Sequence, residues 1–368
     1  MAISVSAVIA LIGYLFSPSV AVGLLVVGVV FAIVLFFRDR SETSPVDTIP
    51  GLTHLAAAGD DARSCRLVPG PKNWKPRLLQ IFSNTVTIHG DLKYEEPLID
   101  VGDDFKLTSG QERKAAIFSQ NLAIEHKADH TQLVLSSQCQ DWKPHPRCME
   151  DKADWESDPI VLRTNPIKYS SVMSFRKDKF CVPTLSANAI LVCPDRRCVV
   201  LQQRSKTMDT YGEGESYWIH TVGGGYQHDW PESDGDLIST MVREVQEELK
   251  VHVICSRNTP RVVLGELTTG FIQVNYLGIQ MSTTQIDHIA PKTEEGFNFI
   301  VSFDELYDKL LKPNWVPSGK CAVLIWLAFG APKAALDGEK PVFGGKTPHQ
   351  LFEALVPELK AEAFVGSQ

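Results

Sequence analysis

The most continuous apolar stretch of the chain is Ser19 to Phe37 (SVAVGLLVVGVVFAIVLFF), uncharged throughout and overwhelmingly aliphatic. As a helix it would extend roughly 28 Å, about the hydrocarbon thickness of a bilayer, so a transmembrane helix is expected there. Ile3 to Phe16 is also apolar but shorter, and Ser17-Pro18-Ser19 separates the two runs. Residues 1–40 are therefore expected to form a membrane anchor of one or two helices, with a two-helix hairpin favoured. Arg38 and Arg40 follow the run, and basic residues stay on the cytoplasmic side. This predicts a membrane protein, in the inner or cytoplasmic membrane, whose remaining chain faces the cytoplasm. A cleaved signal peptide is disfavoured, since the start has no basic region and no small-residue cleavage site follows.

Beyond the anchor, residues 41–76 are rich in Ser, Thr, Asp, Pro and Gly and read as a linker. Residues 77–180 give mixed signals: LLQIFSNTVTIHG is strand-like, ERKAAIFSQNLAIEHK helical and TQLVLSS strand-like, a folded region without a recognisable role. From 181 to 331 the pattern sharpens. Leu185–Val192 and Cys198–Arg204 flank a Pro194-Asp195 turn as a hairpin, Trp218–Val222 runs into Gly223-Gly224-Gly225, and a helix starts near Asp236. Two strands (Arg261–Leu267, Phe271–Met281), a third (Phe297–Phe303) and two helices follow, and residues 332–368 form a tail with a short helix. Strands enclosing a helix imply an α/β or α+β sandwich.

On DLISTMVREVQEEL the apolar residues Ile238, Met241, Val242, Val245 and Leu249 recur every three or four positions and form one buried stripe. Glu244, Glu247 and Glu248 share another side of the same helix. Like charges so placed repel, by a few tenths of a kcal/mol per pair, unless they are fully solvated or share a cation. Mg2+ or Mn2+ would suit this oxygen-only set, and a plain solvated acidic face is the competing reading.

Composition removes other classes. A formal net charge of -8 argues against a nucleic-acid partner, which calls for a basic face. The eight cysteines include no close C-x2-C pair and are expected to be reduced. His126 and His130 share the i, i+4 spacing of some metal sites, but no adjoining Glu completes that pattern, and a solvent-facing pair is expected.

The glycine run and the segment R-E-V-Q-E-E-L-K-V together resemble the Nudix box, G-x5-E-x7-R-E-U-x-E-E-x-G-U with U a bulky aliphatic. Gly225 falls on its opening glycine and Arg243 to Val251 on its second half, within a likeness extending from Leu185 to Gly330. The resemblance implies an α/β/α sandwich at 181–331, joined here to the anchor and to an additional α+β region. It also implies roles. Glu247 and Glu248 would bind the divalent metal, Glu244 would join them or act as base, and Arg243 would orient the cluster. Glu294 or Glu295, with Glu295 preferred, would supply a further loop carboxylate to the metal. Gly224, Gly225 and Arg204 are the expected substrate-binding positions, the glycines because a Cβ would obstruct close approach of the backbone.

The chain departs from the family in two places. Gly225 to Arg243 is four residues longer than the motif prescribes, and Gly235 stands where the family has its first Glu, so that Glu232, Asp234 or Asp236 is left to reach that space. Lys250 replaces the glycine that ends the helix in a left-handed turn. Two functions stay open: a metal-dependent hydrolase of a nucleoside diphosphate linked to another moiety, and a nucleotide sensor at the membrane that turns over poorly. The expected partners are that small molecule and the lipid bilayer, with a homodimer left open; Trp218, Tyr211 and Trp230 are candidates to stack on a base.

Overall fold

The computed structural model describes residues 71, 73–124, 128–135, 153–155, 157, 159–178, 180, 182–204, 219–228, 234–267, 269–293, 296–331 and 342–365. The chain divides between residues 62 and 63, and every described residue lies in the second unit.

A mixed sheet of eight strands forms its centre. In chain order they are β1 (Val86–Lys93), β6 (Leu185–Cys193), β7 (Cys198–Arg204), β8 (Ile219–His220), β9 (Val222–Gly225), β10 (Arg261–Glu266), β11 (Ile272–Gln280) and β12 (Gly296–Ser302). The order across the sheet is β1-β10-β11-β6-β7-β12; β9 adds to β6 and β8 to β7. The central pair, β6 and β11, is parallel, with Asn188 opposite Asn275. All nine residues of β6 are buried, as expected of a strand covered on both faces. Its alternate side chains enter different cores: Ile190 and Val192 one, Ala187, Ala189 and Leu191 the other.

The first core is closed by helices α1 (Trp74–Phe82), α6 (Leu306–Leu311), α7 (Pro317–Ala328) and α8 (Pro348–Val365). The second is closed by α4 (Leu237–Leu249) and by a smaller sheet of β2 (Leu98–Val101), β3 (Thr131–Leu135), β4 (Ala153–Asp154) and β5 (Val161–Lys168), in the order β2-β5-β3 with β4 on β5. Helices α2 (Ser109–Ile124), α3 (Tyr169–Lys177) and α5 (Thr283–Asp287) complete the described elements. The strand-like reading of LLQIFSNTVTIHG is corrected in its first half, where α1 buries Leu78 and Phe82, and β1 begins only at Val86.

The anchored fold and the membrane location are corrected too. Among the described residues no helix is long and apolar enough to cross a membrane. The most apolar helix, α7, has 12 residues and spans about 18 Å, too little for a bilayer. The 18-residue α8 carries Glu353, Glu358, Lys360 and Glu362. The stretch 19–37 on which the anchor was expected lies outside the described residues. What stands is a mixed α/β fold.

Candidate functional site

The carboxylate helix α4 is held at both ends. Its N-cap Asp236 accepts from Ser239 N at 2.7 Å, and Glu96, between β1 and β2, accepts from the backbone N–H of Ile238. Glu96 is fixed in turn by Arg261 and by Tyr276 Oη at 2.6 Å. Its pKa is raised by burial, against the opposing pull of Arg261 and Tyr276. At the C-terminus Lys250 adopts φ 61°, ψ 29°, the left-handed turn that the family fills with glycine. Asn298 of β12 donates from Nδ2 to the carbonyls of Glu248 (2.7 Å) and Ala290 (2.8 Å), and Ala290 N donates to the Leu249 carbonyl (2.9 Å), so the exposed end of the helix is satisfied from outside it. The apolar stripe behaves as its spacing predicts for Met241, Val245 and Leu249, all fully buried, with Ile238 and Val242 at the margin of that core.

Arg243 joins the glycine end of β9 to the helix. Its Nε and Nη2 make a bidentate pair with Asp234 (2.8 and 3.0 Å), Nη2 also reaches the Gly225 carbonyl (2.9 Å), and Nη1 donates to Glu244 (2.8 Å) and Glu247 (3.0 Å). Burial opposes the charge on Arg243, but the Asp234 hydrogen bonds and the charges of Glu244, Asp234 and Glu247 outweigh it and hold the pKa above its ordinary value. Asp234, one residue before the motif position occupied by Gly235, also accepts from Gln227 N (2.9 Å) and Thr240 Oγ1 (3.1 Å). Asp236 is spent on the cap, and Glu232 lies outside the described residues.

Glu244 and Glu248 are buried, whereas the Glu247 side chain is 53% exposed. Glu248 accepts from Gly223 N at 3.2 Å. Gly224 lies directly under Glu244: a Cβ there would fall 2.3 to 2.5 Å from its carboxyl atoms. The glycine at this position is thus required by close approach to a charged group. Gly225 presents its carbonyl to Arg243, and Gln132 of β3 packs against its other side. Arg204 ends β7 opposite Gly296, and its charge, after burial, helps lower the pKa of His220 to about 3. Glu294 and Glu295, His126, and the aromatic candidates Tyr211, Trp218 and Trp230 lie outside the described residues.

Three carboxylates, Asp234, Glu244 and Glu247, thus surround a single guanidinium with Glu248 one residue further on, and all their donor atoms are oxygen, the set that a hard divalent cation takes. Among the described residues, however, no three such groups are gathered closely enough to hold a metal ion. Arg243 draws Glu244 and Glu247 to itself, and Glu248 turns toward Gly223. Binding a cation there would require Glu247, the exposed member, to turn from Arg243 toward Glu248.

Asn298 and Glu96, which position the helix, escape sequence reasoning because each acts across the fold. No local signal marks Asn298, because it alternates with Phe297, Phe299 and Val301 and so reads as an outward-facing position.

No family model matches the sequence, and no curated protein does. Among solved structures the chain is similar to a Nudix hydrolase from Nitrosomonas europaea, at 16% identity and a TM-score of 0.23, over 36% of this chain and 82% of that one. It is also similar to the E. coli ORF135 protein, known from a solution structure, at 15% identity and a TM-score of 0.26, over 39% and 89% of the two chains. Overlaps of this quality assign no activity, which has to come from the geometry of the site.

Proposed function

We propose that the chain is a metal-dependent hydrolase of the Nudix type, acting on a nucleoside diphosphate linked to another moiety. The observation that supports it is the closure of the two halves of the degenerate motif through Arg243, which holds the Gly225 carbonyl, Asp234, Glu244 and Glu247 at once. Glu247 and Glu248 would hold Mg2+ or Mn2+, with Glu244 as third ligand and Glu295 as the loop carboxylate. The ion, when bound, would neutralise the diphosphate and make water a nucleophile near neutral pH. Arg243 keeps Glu244 in place, and the backbone of Gly223 to Gly225 lines the approach for phosphate oxygens.

The sensor reading keeps one observation in its favour. Gly235 leaves the motif without its first carboxylate, and the neighbouring Asp234 is fully engaged by Arg243, Gln227 and Thr240. The test is Mg2+- and Mn2+-dependent hydrolysis of a panel of diphosphate nucleotides by the full-length chain and by its Glu247→Gln and Glu248→Gln variants, with melting temperatures alongside. Loss of turnover at unchanged melting is expected. Wild-type nucleotide binding without turnover would favour the sensor, and no response to metal or nucleotide would leave a solvated helix face.

A further inference from the structure

Each glycine of β9 leaves room for a polar side chain from a different element. A Cβ on Gly223 would fall 2.2 Å from Asn188 Oδ1 of β6, one on Gly224 would meet Glu244 of α4, and one on Gly225 would fall 2.8 Å from Gln132 Nε2 of β3. Alternate positions of a strand share a face, so Asn188 and Gln132 lie on the side of β9 away from α4. The register extends that face: Asn188 stands beside Asn275 of β11, and Ser186 beside Gln273. These positions are in phase with Ile190 and Leu277, which enter the first core. The first turn of α7 closes over the same strands. Ser318 Oγ donates to Glu266 at the end of β10 (2.9 Å), and a Cβ on Gly319 would fall 3.3 Å from Thr221 N, between β8 and β9.

Asn188, Gln273 and Asn275 are buried, yet Asn188 Nδ2, Gln273 Oε1 and Asn275 Oδ1 have no hydrogen-bond partner among the described residues, and Gln132 Oε1 has none either. Turning the Asn275 amide does not relieve this, because its Nδ2 already donates to the Gln273 carbonyl at 3.1 Å. Ser186 is spent on the Ile272 carbonyl (3.3 Å). Buried polar groups are nearly always paired, so a cluster left open on one face points to a polar ligand. The open atoms say of which kind. Three are acceptors and one is a donor, so the ligand has to bring N–H or O–H groups. A phosphate offers acceptors alone and would meet only Asn188, whereas base amino groups and ribose hydroxyls meet the other three. Gly225 and Gln132 are half-buried, and there the patch reaches solvent.

We infer that Asn188, Gln273, Asn275 and Gln132 form the subsite for the nucleoside end of the ligand, on the face of the glycine strand opposite the carboxylate helix. This rests on the nucleoside diphosphate reading of the site, whether the chain hydrolyses that ligand or senses it, and asks nothing of a metal ion. The four amides determine specificity.

The test is calorimetric titration of the full-length chain, in Mg2+, with the ribonucleoside 5′-diphosphates and with inorganic pyrophosphate. Gln273→Met removes an open acceptor, so this variant is expected to melt no lower than wild type and to bind the favoured nucleoside diphosphate about tenfold more weakly, with pyrophosphate affinity unchanged. Gln132→Met, at the half-buried margin, carries the same test should the first variant not fold. In the wild type, weaker binding of the 2′,3′-dideoxy analogue assigns the acceptors to the ribose hydroxyls, and undiminished binding assigns them to the base. Equal weakening of pyrophosphate would make Gln273 a structural residue, and wild-type affinity for every diphosphate would mean that the amides hold only water. Either result overturns the inference and leaves the functional reading standing. If the wild type binds none of these compounds, both fall.

Discussion

Asp234→Asn is the change that most directly measures what holds the site together. The Asp234 side chain is only 3% exposed and accepts four hydrogen bonds, two from Arg243 and one each from Gln227 N and Thr240 Oγ1. Asparagine keeps the shape but removes the charge, and its NH2 group turns one acceptor into a donor facing other donors. Breaking a buried ion pair costs about 3–5 kcal/mol. Here Arg243 keeps Glu244, Glu247 and the Gly225 carbonyl, so the low end, about 3 kcal/mol, is expected. The measurement is equilibrium urea unfolding of wild type, Asp234→Asn, Arg243→Met and the double variant. A coupling energy of about 2–3 kcal/mol between the two sites is expected, within the range found for contacting residues. Two effects that simply add, or a single variant within about 0.5 kcal/mol of wild type, the ordinary size of a surface change, would refute the idea that this pair closes the loop on the helix.

Other consequences follow from single positions. Lys250 is exposed and held at φ 61°, so Lys250→Gly should raise stability by about 0.5–1 kcal/mol with function unchanged, and destabilisation in urea would count against a strained cap. His220, buried with its pKa lowered to about 3 chiefly by burial and then by Arg204, is neutral when folded and takes up a proton below about pH 6.5 when unfolded. The unfolded state then binds more protons, so stability is full above pH 6.5 and is lost as pH falls toward 3. Between pH 7 and 5 this one group should cost about 2 kcal/mol, and urea curves of His220→Asn should show a shallower acid slope; an identical slope would mean that the imidazole is solvated.

Periodicity alone placed the carboxylate helix and its buried stripe of Met241, Val245 and Leu249, but not the glutamates: Glu244 and Glu248 are buried beside that stripe and only Glu247 is exposed, against the expectation that the three share a separate side. The strands on either side were equally plain as short, largely apolar runs between turns, and the structure buries Leu185 to Cys193 and Arg261 to Glu266 throughout. Even the strained cap at Lys250 could be read, since helix ends have few solutions.

What only the tertiary structure decided is everything that depends on contacts distant in sequence. The 77–180 stretch read as an anonymous region, yet its strand β1 pairs with β10 and its Glu96 caps α4, because sheet edges and helix ends take partners from wherever the chain passes. Asp234, Glu232 and Asp236 were indistinguishable as replacements for the missing motif carboxylate. Asp234 is held beside Arg243 by its bonds to Gln227 N and Thr240 Oγ1, while Asp236 is used up by the cap. The amide pair of Asn188 and Asn275 was invisible for the same reason: residues 87 positions apart (275 less 188) become neighbours only when β11 pairs with β6, and no local pattern encodes that register.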